Sequence, residues 1–411
     1  MPEQHTRRGP VRRVIPGALA LCAILAAATA LMAGGGADDR LVASAHGSAA
    51  GTDYWAAVAG NTGQTPAAGT VRTYYIRAER VRWNYAPGGR NRITGSAFDD
   101  DARVFVEGAP DRVGSTYTKC LYRGYTDGTF RHRLRPPSDE RNLGILGPVI
   151  RAAVGDTIRV VFRNSCRFPV SVHPHGVFYG KTSEGAPYAD GTRGSGKRDD
   201  DVPTGGRHVY TWRVPERAGP GPGDGSSVMW MYHSHADEVG DTYAGLMGPM
   251  VVTRADMARP DATPSDVDQE VFELFAVMDE NQSPFLEDEL RGLRPRGPRE
   301  RLRDDEDFGE SNLMHSINGY VYGTGPMVTL RRGAHVRWYV MSMGTEVDLH
   351  TPHWHGNTVT VSGMRMDVVS LLPASMVVAD MVPDDPGVWL FHCHVNDHIT
   401  AGMATRYRVV S

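Results

Sequence analysis

Hydrophobic and polar positions divide this chain into regions of different character. An apolar run from about Val14 to Ala33 follows Arg7-Arg8 and Arg12-Arg13 and precedes Gly34-Gly35-Gly36. That pattern, within residues 1 to 40, predicts an export signal or an N-terminal membrane anchor. Residues 41 to 70 are small, polar and patternless and read as a flexible spacer. Beyond them, short β-rich runs recur between frequent Gly and Pro, and almost no amphipathic helix is convincing. One unit occurs twice. Gly155-Asp156-Thr-Ile-Arg-Val-Val-Phe162, preceded by Gly147-Pro148, parallels Gly333-Ala-His-Val-Arg-Trp-Tyr-Val340, preceded by Gly325-Pro326. Each is a turn feeding an alternating strand that leads to a pair of histidines. An all-β fold follows, with two β-sandwich domains at 71–254 and 267–411 and the Pro- and Asp-rich run RADMARPDATPSD as linker.

Length and composition allow two such domains with real cores. The net charge is −4, and the arginine-rich first forty residues leave the remainder more acidic still, which argues against nucleic acid as a partner. Of the four cysteines, Cys22 lies in the apolar run and Cys393 among histidines. Cys120 and Cys166 remain, as a disulfide in an oxidising compartment or as two separate buried thiols.

The histidines carry the chemistry. Ten of sixteen fall in four clusters: His173-Pro-His175, His233-Ser-His235, His350-Thr-Pro-His353-Trp-His355, and His392-Cys393-His394 with His398 and Met403 behind it. On a strand, side chains two apart share a face, so His-x-His is a two-pronged imidazole fork, and the residue between points the other way. His392-Cys393-His394 can therefore serve two metal centres on opposite sides of one strand. A thiolate, two imidazoles and a weak axial thioether form the ligand set of a blue-copper site, and His350, Cys393, His398 and Met403 supply them. Structural zinc would instead favour Cys-x-x-Cys spacing, which is absent.

The motifs NLGILGPVI at 142–150, VPERAG at 214–219, GESNLMHSING at 309–319 and HCHVNDHITAGM at 392–403 make the chain resemble the multicopper oxidases, in particular the ceruloplasmin and hephaestin branch, over nearly all of residues 71 to 411. The resemblance implies cupredoxin Greek-key domains and four coppers per chain. His350, Cys393, His398 and Met403 would hold a type 1 copper, and His173 and His353 a type 2 copper. His175, His233, His235, His355, His392 and His394 would hold a type 3 pair. Electrons would pass through Cys393, with His392 and His394 beside it, to a trinuclear cluster that reduces dioxygen to water.

Aligning the repeats places Val170, Ser234, Val239 and Ala244 opposite His350, Cys393, His398 and Met403. The first half thus keeps its forks and lacks a type 1 site. By resemblance to the family's ring of six domains, half-clusters would meet between chains, giving a homotrimer. Glu310, His315 and Asp397 match residues that bind iron in the ceruloplasmin-like family, and hard carboxylates favour ferric over ferrous ion. A ferroxidase is the reading that follows. In the plainer alternative Asp397 only orients His398, and Glu310 belongs to the acidic loop Asp304-Asp305-Glu306-Asp307.

A two-domain laccase acting on phenols or aromatic amines shares every copper motif and is the alternative enzyme. A copper nitrite reductase uses one blue and one type 2 copper, fewer sites than eight fork histidines provide. A non-enzymatic copper-binding protein would tolerate losses among the ligands, and none is lost. Export to the extracellular side or the outer face of the cytoplasmic membrane is the expected location.

Overall fold

The run Thr157–Ser165 forms a strand whose side chains alternate between core and surface, as its sequence period requires. The computed structural model describes residues 69–411, so the export or anchor segment and nearly all of the spacer lie outside the described residues. Among the described residues, no helix is long and apolar enough to cross a membrane.

The first half contains β1 (Val71–Asn84), α1 (Asp100–Val106), β2 (Thr116–Tyr125), β3 (Ile150–Ala153), β4 (Thr157–Ser165), β5 (His173–Pro174), β6 (Phe178–Tyr179), β7 (Arg207–Arg213), β8 (Ser227–His233), α2 (Glu238–Ala244) and β9 (Met247–Thr253). The second contains β10 (Gln269–Asp279), α3 (Leu286–Gly292), α4 (Glu306–Ser311), β11 (Leu313–Ile317), β12 (Val328–Arg331), β13 (Val336–Ser342), β14 (Pro352–Trp354), β15 (Val359–Val361), β16 (Met364–Met366), β17 (Met376–Met381), β18 (Gly387–Cys393), α5 (Asn396–Thr400) and β19 (Ala404–Val410). Among the described residues the helices are short, none longer than seven residues, consistent with the absence of long amphipathic patterns.

Each half is a pair of sheets in the same order. The first gives β2-β1-β4-β7-β6 and β3-β9-β8-β5; the second gives β11-β10-β13-β17-β15-β16 and β12-β19-β18-β14. Even the parallel pairs recur, β1 with β4 and β3 with β9 in one half, β10 with β13 and β12 with β19 in the other. The sequence repeat is thus a repeat of the sandwich.

Apolar burial is organised in three large clusters and a small one of Leu286, Leu290, Leu302 and Phe308. One cluster fills the first sandwich around Ile158, Phe162 and Trp212, and another fills the second around Trp338, Trp354 and Phe391. A third, with Tyr85, Tyr117 and Leu121 from the first half and Phe272, Leu274 and Tyr339 from the second, joins the halves. Met229, Met231, Met278, Met314 and Met341 belong to this seam, where unbranched, polarisable side chains fill irregular gaps. This explains why β13 is buried along its entire length: each of its faces has a core to enter.

Polar groups in the seam are matched across it. Lys119, fully buried, donates to Glu280 at 2.6 Å, and Tyr85 donates to the same oxygen at 2.5 Å. Arg151 bridges Glu140 and Glu270, while Arg337 donates to Ser226 and Ser227 and pairs with Asp380. Removing one member of such a buried pair leaves an uncompensated charge, so these contacts fix how the halves meet more than they add net stability. The connection between halves is ordered as well, because Arg259 donates to the carbonyls of Pro264, Ser265 and Val267.

Cys120 on β2 and Cys166 just beyond β4 form a disulfide that closes a 46-residue separation. Replacing both with serine should lower stability by about 2–4 kcal/mol through the unfolded chain's regained freedom. Denaturant unfolding under non-reducing conditions checks this; superimposable curves for the variant and the parent would count against it.

Candidate metal centre

The forks lie where strand ends leave the sheets. His173 on β5 is paired with His233 on β8, and His353 on β14 is paired with His392 on β18, the same register in both halves. Behind each fork sits a matched packing device. Gly176, with φ 73°, and Gly356, with φ 71°, directly follow His175 and His355. A Cβ there would lie 2.1 Å from the Trp230 ring and 2.5 Å from the Trp389 ring, so only glycine lets those indoles close over the forks. Each tryptophan stands three residues before the second fork of its half, a spacing visible in the sequence but without meaning until the strands are paired.

In the first half, His175 Nε2 lies 3.1 Å from His233 Nε2, and His173 and His235 stand with their rings within 5.3 Å of one another. In the second, His392 Nε2 lies 3.0 Å from His355 Nε2 and 3.3 Å from His353 Nδ1, with the His394 ring 5.4 Å from that of His353. Backbone carbonyls hold the tautomers. Glu184 O accepts from His173 Nδ1, Ser234 O from His233 Nδ1 and Cys393 O from His392 Nδ1. Each Nε2 is then left with a lone pair facing its neighbours. Lone pairs aimed at one another repel unless a cation lies between, so this donor set fits a metal with imidazole preference, such as copper.

Burial, followed by repulsion from neighbouring imidazoles, lowers His175 to about 4 and His233 to about 3. His173, His353 and His392 are likewise lowered, chiefly by burial. These five rings are therefore held towards the neutral, metal-binding form. Among the described residues, no hydrogen bond or ring contact joins one quartet to the other.

The third group is His350, Cys393 and His398, all buried, with donor atoms within 4.8 Å of one another. Cys393 Sγ lies 3.5 Å from His398 Nδ1 and 3.9 Å from His350 Nδ1, and the Thr351 amide donates to it at 3.4 Å. Burial pushes this thiol up, but hydrogen bonds from His350 and His398 outweigh it and bring it down to about 5. A thiolate between two imidazole Nδ1 atoms fits a blue-copper set. Met403 is fully buried in the same core, and its carbonyl accepts from the Cys393 amide. His392 turns to one group while Cys393 turns to another, so adjacent residues of β18 face two separate sets of donor side chains.

The first half shows what replaces this group. Ser234, at the cysteine position, donates to Asp241 at 2.5 Å and accepts from the Ser171 amide at 3.0 Å. Val170 and Ala244 are buried, whereas Val239, at the position of His398, points to solvent. A closed hydrogen-bonded network has taken over the space.

The residues Glu310, His315 and Asp397 converge beside His398. His315 on β11 sets its ring 5.2 Å from that of His398, tilted by 53°, and Phe105 of α1 covers it edge-on. Burial first, then the charge of Asp397, raises Glu310, while burial and His398 bring His315 down to about 4. Glu310 belongs to α4, capped by Asp305, and not to an irregular acidic loop. The three are not among the sets whose donor atoms all lie within 4.8 Å of one another, so this is a looser convergence than the histidine groups.

Comparison with known proteins follows the same division of the chain. Residues 140–256 and 295–411 each match a family profile described as multicopper oxidase, together more than half of the chain. Rat hephaestin is 41% identical over 350 residues, 84% of this chain and 30% of that protein. Human ferroxidase HEPHL1 is 43% identical over 346 residues, 83% of this chain and 29% of its own. Mouse ceruloplasmin is 40% identical, covering 82% of this chain and 32% of the relative. The chain thus spans about a third of the length of these relatives. Among solved structures, a multicopper oxidase superposes with a TM-score of 0.53 at 17% identity, over 84% of this chain and 92% of that one. A copper nitrite reductase from Nitrosomonas europaea superposes with a TM-score of 0.53 at 15% identity, over 83% and 95%. These likenesses show the fold, two cupredoxin-like β-sandwiches.

The lowered histidines have a consequence for the copper-free protein. An unfolded histidine takes up its proton near pH 6.5, whereas His175 and His233 remain neutral until about 4 and about 3 in the fold. The unfolded state binds more protons across that window, so these groups withdraw stability as pH falls from 6.5 towards 4. Denaturant midpoints of the apo-protein should show this fall. In a His175→Gln, His233→Gln variant the fall should be shallower; parallel curves would show that the two rings do not contribute.

Proposed function

The chain belongs to the multicopper oxidase family, whose metal is copper, and on that premise we propose that it is a copper-dependent oxidase of ferrous ion with dioxygen as acceptor. When bound, four coppers per chain supply the chemistry, taking single electrons from a donor at a type 1 site and delivering four to dioxygen at a trinuclear cluster. His350, Cys393, His398 and Met403 hold the first. His173 and His353 hold the type 2 ion, and His175, His233, His235, His355, His392 and His394 hold the type 3 pair.

The observation that carries the ferrous reading is the convergence at His398. His315 brings an imidazole against the His398 ring, Asp397 precedes His398 in the chain, and Glu310 is close enough to Asp397 to feel its charge. Hard oxygen donors stabilise the ferric product and ease electron loss. Asp397 is covalently adjacent to His398, and the Cys393-His392 step leads on to the second quartet, so the route from donor to acceptor runs through this chain's own residues. A relative that is named a ferroxidase supports the same substrate. The looseness of the three donors gives weight to a second reading, a laccase-like oxidase of small phenols or aromatic amines.

The assembly we propose is a homotrimer. Its support is that the two quartets on one chain do not touch, and that each offers half the ligands of a cluster. Three chains in a ring would set the second quartet of each against the first quartet of the next, closing three clusters. Export to the extracellular side or the outer face of the membrane fits the Cys120–Cys166 disulfide, which persists in oxidising compartments.

Two measurements test this. With copper-loaded protein, Asp397→Ala should lower kcat/KM for ferrous ion by about tenfold or more and leave that for a phenol within about twofold; equal losses would favour the laccase reading. Chains with His173 and His235 changed to Ala, coexpressed 1:1 with chains with His353 and His394 changed to Ala, should recover about a quarter of wild-type oxidase activity. The reason is that each mixed ring of three regains one intact cluster. Complete inactivity of the mixture would place the cluster within a single chain.

A further inference from the structure

Resting on the reading of His350, Cys393, His398 and Met403 as a type 1 copper set, we propose that Asp348 is its positioning residue. The buried carboxylate locks the ring of His350, decides which nitrogen meets the metal, and lowers the reduction potential from outside the ligand set. Asp348 and His350 are both completely shielded from solvent. Asp348 Oδ1 accepts from His350 Nε2 at 3.1 Å and from the Val277 amide at 2.7 Å, and Oδ2 accepts from the Thr345 amide at 2.9 Å. Among the described residues, no Lys or Arg pairs with it. Two backbone amides and one imidazole therefore carry the whole burden of stabilising a buried negative charge, and the proton on His350 Nε2 is held in place. Nδ1 is the nitrogen left for the metal, and it faces His398 Nδ1 at 3.1 Å and the Cys393 sulfur at 3.9 Å.

The backbone is shaped for this carboxylate. Gly344 has φ +134°, and a Cβ there would stand 1.9 Å from Asp348 Oδ2. The amide of Val277 comes from β10, where Val277 is the register partner of His315 on β11. Asp348 is thus clamped between the copper loop and the strand pair that carries the donor-side histidine.

Two comparisons within the molecule separate this from general packing. The first is the internal repeat. The positions matching Asp348 and His350 in the first half are Phe168 and Val170, and the segment before them, Asn164-Ser165-Cys166-Arg167, contains no glycine. Where the copper ligand is absent, the carboxylate and its glycine cradle are absent too. The second is the other imidazole. His398 has its Nδ1 turned to the thiolate and its ring to His315, with no carboxylate in hydrogen-bond contact. The two histidines are therefore unequal: His350 is anchored and electron-rich, and His398 is the one open towards the donor.

A carboxylate accepting from the outer nitrogen raises the donor strength of an imidazole. In a site shielded from water the charge also acts directly, and both effects favour the cupric over the cuprous state. Asp348→Asn keeps an oxygen acceptor for His350 and removes the charge. Gly344→Ala keeps the charge and displaces the carboxylate. In the copper-loaded full chain, redox titration of the blue absorption should show both variants shifted at least tenfold towards cuprous copper, about +59 mV for a one-electron couple. Their electron paramagnetic resonance spectra should change as well, with type 1 copper content unchanged.

Midpoints within twofold of the parent in both variants would overturn the proposal. Should neither variant fold, pulsed electron paramagnetic resonance of the wild-type chain decides: two unequal remote imidazole nitrogens at the type 1 copper support the anchored ring, and two equal ones overturn it. A wild-type chain that takes up copper without a blue band would instead remove the ligand assignment, and this inference with it.

Discussion

The pleat of one strand is the constraint on which everything else rests. On β18, His392 and Cys393 are adjacent, and adjacency in a strand means opposite faces. His392 reaches His353 and His355, while Cys393 reaches His350 and His398. The pairing of His353 with His392, mirrored by His173 with His233, then fixes which forks can meet.

Duplication explains the layout, and divergence explains its direction. Both halves retain strand order, register, forks and the Gly–Trp pair behind each fork. Only the second retains the thiolate group. In the first, Ser234, Asp241 and Ser171 close the space with hydrogen bonds, which satisfies polar groups that a lost metal would otherwise strand in the core. On the proposed reading, electrons then have one place to arrive. The methionine-rich seam and the buried Lys119–Glu280 pair hold the two halves together, so the donor-side residues of α4, β11 and α5 keep a fixed relation to α1, whose Phe105 covers His315.

The electrostatics of the groups differ in a consistent way. Burial, then repulsion between neighbouring rings, holds His175 and His233 towards the neutral form that binds a cation. Beside Cys393 the surroundings act oppositely: His350 is raised despite its burial, because Asp348 and the thiolate favour its charged form. One region turns imidazole lone pairs inward; the other is an alternating array of carboxylate, imidazole and thiolate. Metal uptake there displaces protons, which couples loading to pH.

Much of this was legible in the sequence because it is local. Period-two alternation announced strands, His-x-His spacing announced forks, and the double occurrence of a turn-plus-strand unit announced two sandwiches. Those signals survive in one dimension because strand geometry converts spacing directly into facing. Three matters did not survive. That Gly176 and Gly356 admit Trp230 and Trp389 depends on strands distant in the chain being paired. That Glu310 lies on a capped helical turn, and not in a loop, depends on Asp305 meeting the Phe308 amide. That Asp348 is shielded, clamped and aimed at His350 depends on β10, seventy residues away, lending an amide. The sequence by itself determined the candidate ligands and the faces they occupy, since these follow from residue type and the pleat. Only the tertiary structure decided how each ligand is held, because the groups that orient an imidazole or shield a carboxylate are neighbours in space and not along the chain.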